Sequence, residues 1–130
     1  MKIALSWKGD ERFSATEESG AILTLDGDRR DGYSPMQALL ASLGGCMAID
    51  VALILKKMRA RVDGLTVELE GERSEEPPRY FRAVRMAFVV TGDVDIERVE
   101  RAVKLSRDRY CSVLHTLRPD LELTTTVLTK

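Results

Sequence analysis

Apolar side chains recur at every second position where the chain begins: Ile3, Leu5 and Trp7 alternate with Lys2, Ser6 and Lys8, and Gly9-Asp10 follows. That period predicts a half-buried strand ended by a turn. A second strand over Arg12–Glu17 and a third around residues 22–25, separated by the turn at Gly20, complete a predicted β-meander. The charged loop 26–34 comes next, and then the period changes. Ser34-Pro35 predicts a helix start, with Ser34 as N-cap and Pro35 at the first helical position, where a missing N–H costs nothing. The helix is predicted to run to about residue 61, roughly 40 Å at 1.5 Å per residue, with Asp63-Gly64 as its stop. Leu65, Val67 and Leu69 restore the period of two, Ser74-Glu75-Glu76-Pro77-Pro78 reads as a turn, and 81–91 reads as the returning strand with Val84, Met86, Phe88 and Val90 on one face. Asp95 is expected to cap a second helix through about residue 110. Its inner stripe is Ile96, Val99, Ala102 and Val103, and its outward i,i+4 pairs are Glu97–Arg101 and Glu100–Lys104. A short helical piece over 111–117 stops before Pro119, and 121–128 closes the chain as a Thr-rich strand.

The resulting order, β-β-β-α-β-β-α-β, places the chain in the α+β class. Its 130 residues contain no repeat and no Gly- or Pro-rich linker, so a single domain over 1–130 is expected. The first helix is the odd element. It is apolar nearly all the way round, which requires enclosure on every side, and the remaining elements are too few to supply it. A second copy of the chain is the predicted cover, giving an intertwined homodimer around a long buried central helix. The stretch 38–55 reaches the length of a membrane span, but Asp50 would be costly in lipid and Gly44-Gly45 loosens the helix, so no membrane is expected. The charged residues soon after the start leave no room for a signal peptide's apolar segment, so the expected compartment is cytoplasmic.

Composition removes two classes. Twenty Lys and Arg against 21 Asp and Glu leave a formal charge of −1, without the basic excess that binding a run of phosphates needs, and one Trp, three Tyr and three Phe offer little for base stacking. No nucleic-acid partner is expected. Two cysteines in a chain of this length do not make a disulfide scaffold.

Those cysteines are nevertheless the residues with chemistry to offer. Cys46 lies in the central helix and Cys111 after the second helix, 65 positions apart (111 − 46), a spacing that matches no zinc or C-x-x-C pattern. As residues they read equally as small buried hydrophobes. The context of Cys46 adds a second reading. Gly44-Gly45 costs about 2 kcal/mol of helix propensity against two alanines, which suggests either close packing of the helix or access to the sulfur. Asp50 shares the Cys46 face at i+4 and by itself raises a thiol's pKa, so a reactive Cys46 calls for a nearby guanidinium. The candidates are Arg29 and Arg30 in the loop before the helix, Arg12, and Arg79 beside the Pro-Pro turn. His115, four residues after Cys111, is the only histidine; a metal site there would also need Cys46 and Asp50 in reach, and none is expected.

Three stretches together carry a resemblance: Ser34-Pro-Met-Gln-Ala-Leu-Leu-Ala-Ser-Leu-Gly-Gly-Cys46 with Ala48-Ile-Asp-Val51, then Glu72-Arg-Ser-Glu-Glu-Pro-Pro-Arg-Tyr-Phe81, and Tyr110-Cys-Ser-Val113. The combination resembles the OsmC/Ohr family, in its YhfA-like branch. The resemblance implies an OsmC-like fold of two interlaced chains and thiol-dependent reduction of organic hydroperoxides. Cys46 would be the peroxidatic thiol and Cys111 the resolving one, with an external dithiol as reductant and no bound cofactor. Ohr-type members hold an Arg at the thiolate through a Glu near the start of the central helix. Here Met36 stands ten residues before Cys46, and Gln37 follows where the branch usually has Glu, so the amide can orient an Arg but adds no charge. Asp50 is then the candidate for the carboxylate's task. An alternative stays open: a non-catalytic dimer that binds a small apolar ligand, or senses oxidants, in the same place.

Overall fold

The computed structural model describes residues 1–130. The chain folds as two compact units, Met1–Ala41 and Ser42–Lys130.

In the first unit, β1 (Ile3–Gly9), β2 (Arg12–Glu17) and β3 (Ile22–Asp26) form the expected antiparallel meander in that order. Trp7 faces Phe13 and Leu5 faces Ala15, while Ala15 also faces Leu23 and Phe13 faces Leu25. Because side chains alternate along a strand, these residues share one face of the sheet. Leu5, Trp7, Phe13 and Leu23 on that face are exposed in the single chain, Trp7 to 67%. The loop after β3 turns on Asp26. Its buried carboxylate accepts the backbone N–H groups of Asp28, Arg30 and Asp31, and these bonds, that from Asp31 foremost, hold its pKa below the ordinary carboxylate range.

Helix α1 (Pro35–Lys57) begins as the sequence predicts. Ser34 Oγ accepts the Gln37 N–H at 3.2 Å, and Gln37 Oε1 accepts the Ser34 N–H at 2.9 Å, a reciprocal capping box. The helix ends four residues short of the expected limit. Arg59 takes a left-handed φ of 57°, its N–H bonds Lys56 O, and the Ala60 N–H bonds Leu55 O. This is a Schellman motif built without glycine, which is why Asp63-Gly64 was the wrong stop signal. Asp63 and Gly64 instead lie at a register shift inside β4 (Arg61–Arg73).

In the second unit, β4 and β5 (Phe81–Asp93) pair antiparallel, and β6 (Glu122–Thr129) pairs parallel to β5, giving the order β4-β5-β6. A parallel neighbour requires a crossover, and α2 (Ile96–Leu105), a π-helical turn (Ser106–Tyr110) and α3 (Ser112–Thr116) provide it. Val84, Met86, Phe88 and Val90 are buried as the alternation predicts, and Phe88 stands in register between Val67 and Val127. Leu43, Met47, Val51 and Leu55 form the buried edge of α1 at steps of four residues. A Cβ at Gly44 would meet the Leu69 side chain, so Gly44 serves close packing of α1 on β4, whereas a Cβ at Gly45 would meet open space.

On the helices, α1 agrees with the expectation that the elements of one chain are too few to enclose it, and α2 departs from its predicted stripe and pairs. Although α1 is long and apolar enough to cross a membrane, it buries one edge within the chain, while Ile49 and Leu53 on another side are exposed. The chain by itself therefore does not enclose it. On α2, Val99, Ala102 and Val103 are buried but Ile96 is at the exposed margin, and Lys104 reaches forward to Asp108 at 2.7 Å rather than back to Glu100.

Candidate active site

Cys46 and Asp50 stand one turn apart on α1, and the crossover brings Cys111 to them. Both cysteines are free, Cys46 half-buried and Cys111 fully buried. The two sulfurs and an Asp50 carboxylate oxygen all lie within 4.8 Å of one another. Cys111 is the N-cap of α3, and its sulfur accepts the Leu114 N–H at 3.4 Å.

Ser106, fully buried, ties the cluster together. Its hydroxyl donates to Asp50 Oδ2 at 2.7 Å, and its carbonyl accepts the Cys111 N–H at 2.8 Å. The wide π-turn makes both bonds possible, since it places the donor of residue 111 over the carbonyl five residues back. Sequence reasoning missed Ser106. Within a stretch that reads as uninterrupted helix, a small polar residue on the inner face was the available signal.

Burial pushes the Cys111 thiol up to about 11, and the neighbouring Cys46 and Asp50 push the same way against the Leu114 N–H. Above the ordinary thiol value of 9.0 the unfolded chain releases this proton while the folded chain keeps it, so folding weakens as pH rises from 9.0 towards about 11. Denaturation midpoints of the native chain and Cys111→Ala, compared across that window, are expected to draw together in the direction that penalises the native chain. Parallel curves would remove the buried-thiol assignment.

The other sequence candidates are placed as follows. His115 is exposed, and its Nδ1 donates to the Cys111 carbonyl at 2.8 Å, so it contacts the backbone rather than the sulfur. Gln37 is committed to the capping box through Oε1. Arg29 and Arg30 sit in the Asp26 loop, Arg29 at a φ of 59° and Arg30 bonded through its N–H to Asp26. Arg12 pairs with Asp31 at 3.2 Å, and Arg79 donates through Nε to Ser74 O at 3.3 Å. Of the residues named from sequence, Cys46, Asp50 and Cys111 are the ones seen together.

A family model described as OsmC-like protein matches residues 26–126, a span that runs through both compact units. Protein YhfA of Escherichia coli strain K12 is 40% identical over 126 residues, covering 95% of this chain and 94% of that protein. A hypothetical protein from Aquifex aeolicus VF5 superposes with a TM-score of 0.91 at 32% identity, covering 99% of this chain and 95% of its own. The organic hydroperoxide resistance protein OsmC from Legionella pneumophila shares the fold at a TM-score of 0.73 and 16% identity, with 98% and 96% coverage. With an α+β architecture common to these structures and a family match over most of its length, the chain belongs to the OsmC family, in its YhfA-like branch.

Proposed function

We propose that this protein is a cytoplasmic thiol peroxidase for organic hydroperoxides, with Cys46 as the attacking thiol, Cys111 as the resolving thiol and an external dithiol as reductant. The supporting observation is the convergence of two free thiols, far apart in sequence, on one carboxylate. That fold relatives bear the name organic hydroperoxide resistance protein agrees with the reading.

In the first step the ionised Cys46 sulfur attacks the terminal oxygen of R–O–O–H. The O–O bond breaks, the departing alkoxide takes a proton to become the alcohol, and Cys46 is left as a sulfenic acid. In the second step the Cys111 sulfur attacks the Cys46 sulfur. Asp50, adjacent to both, takes the Cys111 proton and passes it to the departing hydroxide, so a disulfide and water result. The external dithiol then exchanges with the disulfide, returning both thiols and leaving oxidised itself. No bound cofactor enters, since the two sulfurs supply the electrons. Ser106 orients Asp50.

The active form is proposed to be a homodimer of interlaced protomers, each acting as one domain over 1–130. The exposed Ile49 and Leu53 on α1 and the open apolar face of the first sheet support it, because a second copy would bury both. The competing reading, a non-catalytic dimer holding a small apolar ligand, draws support from Gln37, which is neutral and occupied by the Ser34 N–H.

Oxidation of the reduced protein with one equivalent of an alkyl hydroperoxide separates the two. The expected product is a Cys46–Cys111 disulfide with one alcohol released per chain. Cys111→Ser should complete a single turnover and leave a Cys46 sulfenic acid that a dimedone-type reagent traps. Two intact thiols after exposure of the native protein would favour the ligand-binding reading.

A further inference from the structure

The Cys46, Asp50 and Cys111 cluster has a second capacity. We propose that the reduced protein binds one zinc ion at Cys46 Sγ, Cys111 Sγ and the Asp50 carboxylate, and that the bound ion closes both thiols to peroxide.

The donors carry the argument. Two sulfurs and one carboxylate oxygen converge from two separate segments of the chain, all within 4.8 Å of one another. On a tetrahedral zinc ion, with Zn–S about 2.3 Å and Zn–O about 2.0–2.2 Å, neighbouring donors stand roughly 3.5–3.8 Å apart. Closing by about 1 Å, within reach of side-chain torsions, therefore completes three coordination positions. The fourth faces outward, since Cys46 and Asp50 are only half-buried, and water can occupy it. Two sulfurs among three donors favour zinc over calcium or magnesium, which take oxygen ligands.

The surroundings match what a ligand set needs. Ser106 Oγ donates to Asp50 Oδ2 at 2.7 Å, fixing the carboxylate and leaving its other oxygen for the ion. The Leu114 N–H points at the Cys111 sulfur at 3.4 Å, a bond that stabilises a metal-bound thiolate. Two thiolates and one carboxylate carry three negative charges against the ion's two positive ones. Binding thus displaces any thiol proton still present to solvent and leaves a single net negative charge within the cluster. This inference rests on the donor set alone and holds whether or not the thiols turn over peroxide.

The test uses the full chain, fully reduced, under argon. Titrated with zinc ion alone, it should bind one equivalent that survives dialysis, and both thiols should become unreactive to a disulfide reagent until a chelator is added. Cobalt ion in place of zinc should give thiolate charge-transfer absorption and the visible bands of a tetrahedral site. Asp50→Asn should weaken zinc binding by at least about tenfold, and Ser106→Ala by about tenfold, without a change in oligomeric state. Protein oxidised to the disulfide should bind none. Retention of no zinc by the native protein overturns the proposal, as does retention with both thiols still freely reactive, which would place an adventitious ion elsewhere. Peroxide consumption, measured separately with chelator present, reports on the peroxidase reading and does not enter this outcome.

Discussion

Replacing Cys46 with serine is expected to lower dithiol-supported consumption of an organic hydroperoxide by more than about a thousandfold, the scale on which removal of a nucleophile abolishes turnover. A hydroxyl in that position is not ionised near neutral pH, so the O–O bond meets no attacking anion and the first step of the cycle is lost. Structural damage is a poor explanation of such a loss here. Cys46 is half-buried, Gly45 beside it borders open space, and the buried edge of α1 runs through Leu43, Met47, Val51 and Leu55 instead. The variant should keep the native far-ultraviolet spectrum and thermal midpoint. Consumption at the native rate by Cys46→Ser would remove Cys46 from the chemistry and with it the proposed cycle.

The second large effect concerns the fold. Phe88→Ala is expected to destabilise the protein by about 3–5 kcal/mol, read from denaturant midpoints, because the side chain is fully buried in the central strand β5. Val67 and Val127 flank it in register on the two neighbouring strands, so the cavity is walled by β-branched residues that lack the reach to refill it. A domain of ordinary stability, about 5–15 kcal/mol, loses a large part of its margin at one position. Phe88→Leu keeps most of the volume and should cost under about 1.5 kcal/mol. Equal stabilities for the alanine and leucine variants would show that the site collapses freely, contrary to the packing described.

The buried face of β5 was legible because alternation encodes it directly: Val84, Met86, Phe88 and Val90 are apolar and the structure buries all four. The start of α1 was legible for a similar reason, since Ser34, Pro35 and Gln37 carry their capping chemistry in their identities. What lay outside local chemistry was not. The early end of α1 depends on Arg59 adopting a left-handed backbone, which no glycine announces. The parallel direction of β6 is invisible, because a strand's side-chain period is the same in either sense. Ser106 owes its position to a turn whose partner, Asp50, is 56 residues away. The pairing of Cys46 with Cys111 came from family resemblance rather than spacing, Asp50 was read from its place one turn after Cys46, and the site stayed incomplete until Ser106 joined it.

The parallel pairing of β6 with β5 also sets an order of assembly during translation. Cys46 leaves the ribosome 65 residues before Cys111, and the crossover that carries Cys111 is pinned at its far end only when the final strand docks. Until β6 has emerged and docked, the earlier thiol has no native counterpart to meet. Alignment of the two cysteines therefore waits on the docking of β6, so a product that loses this strand keeps its cysteines but not the support that aligns them.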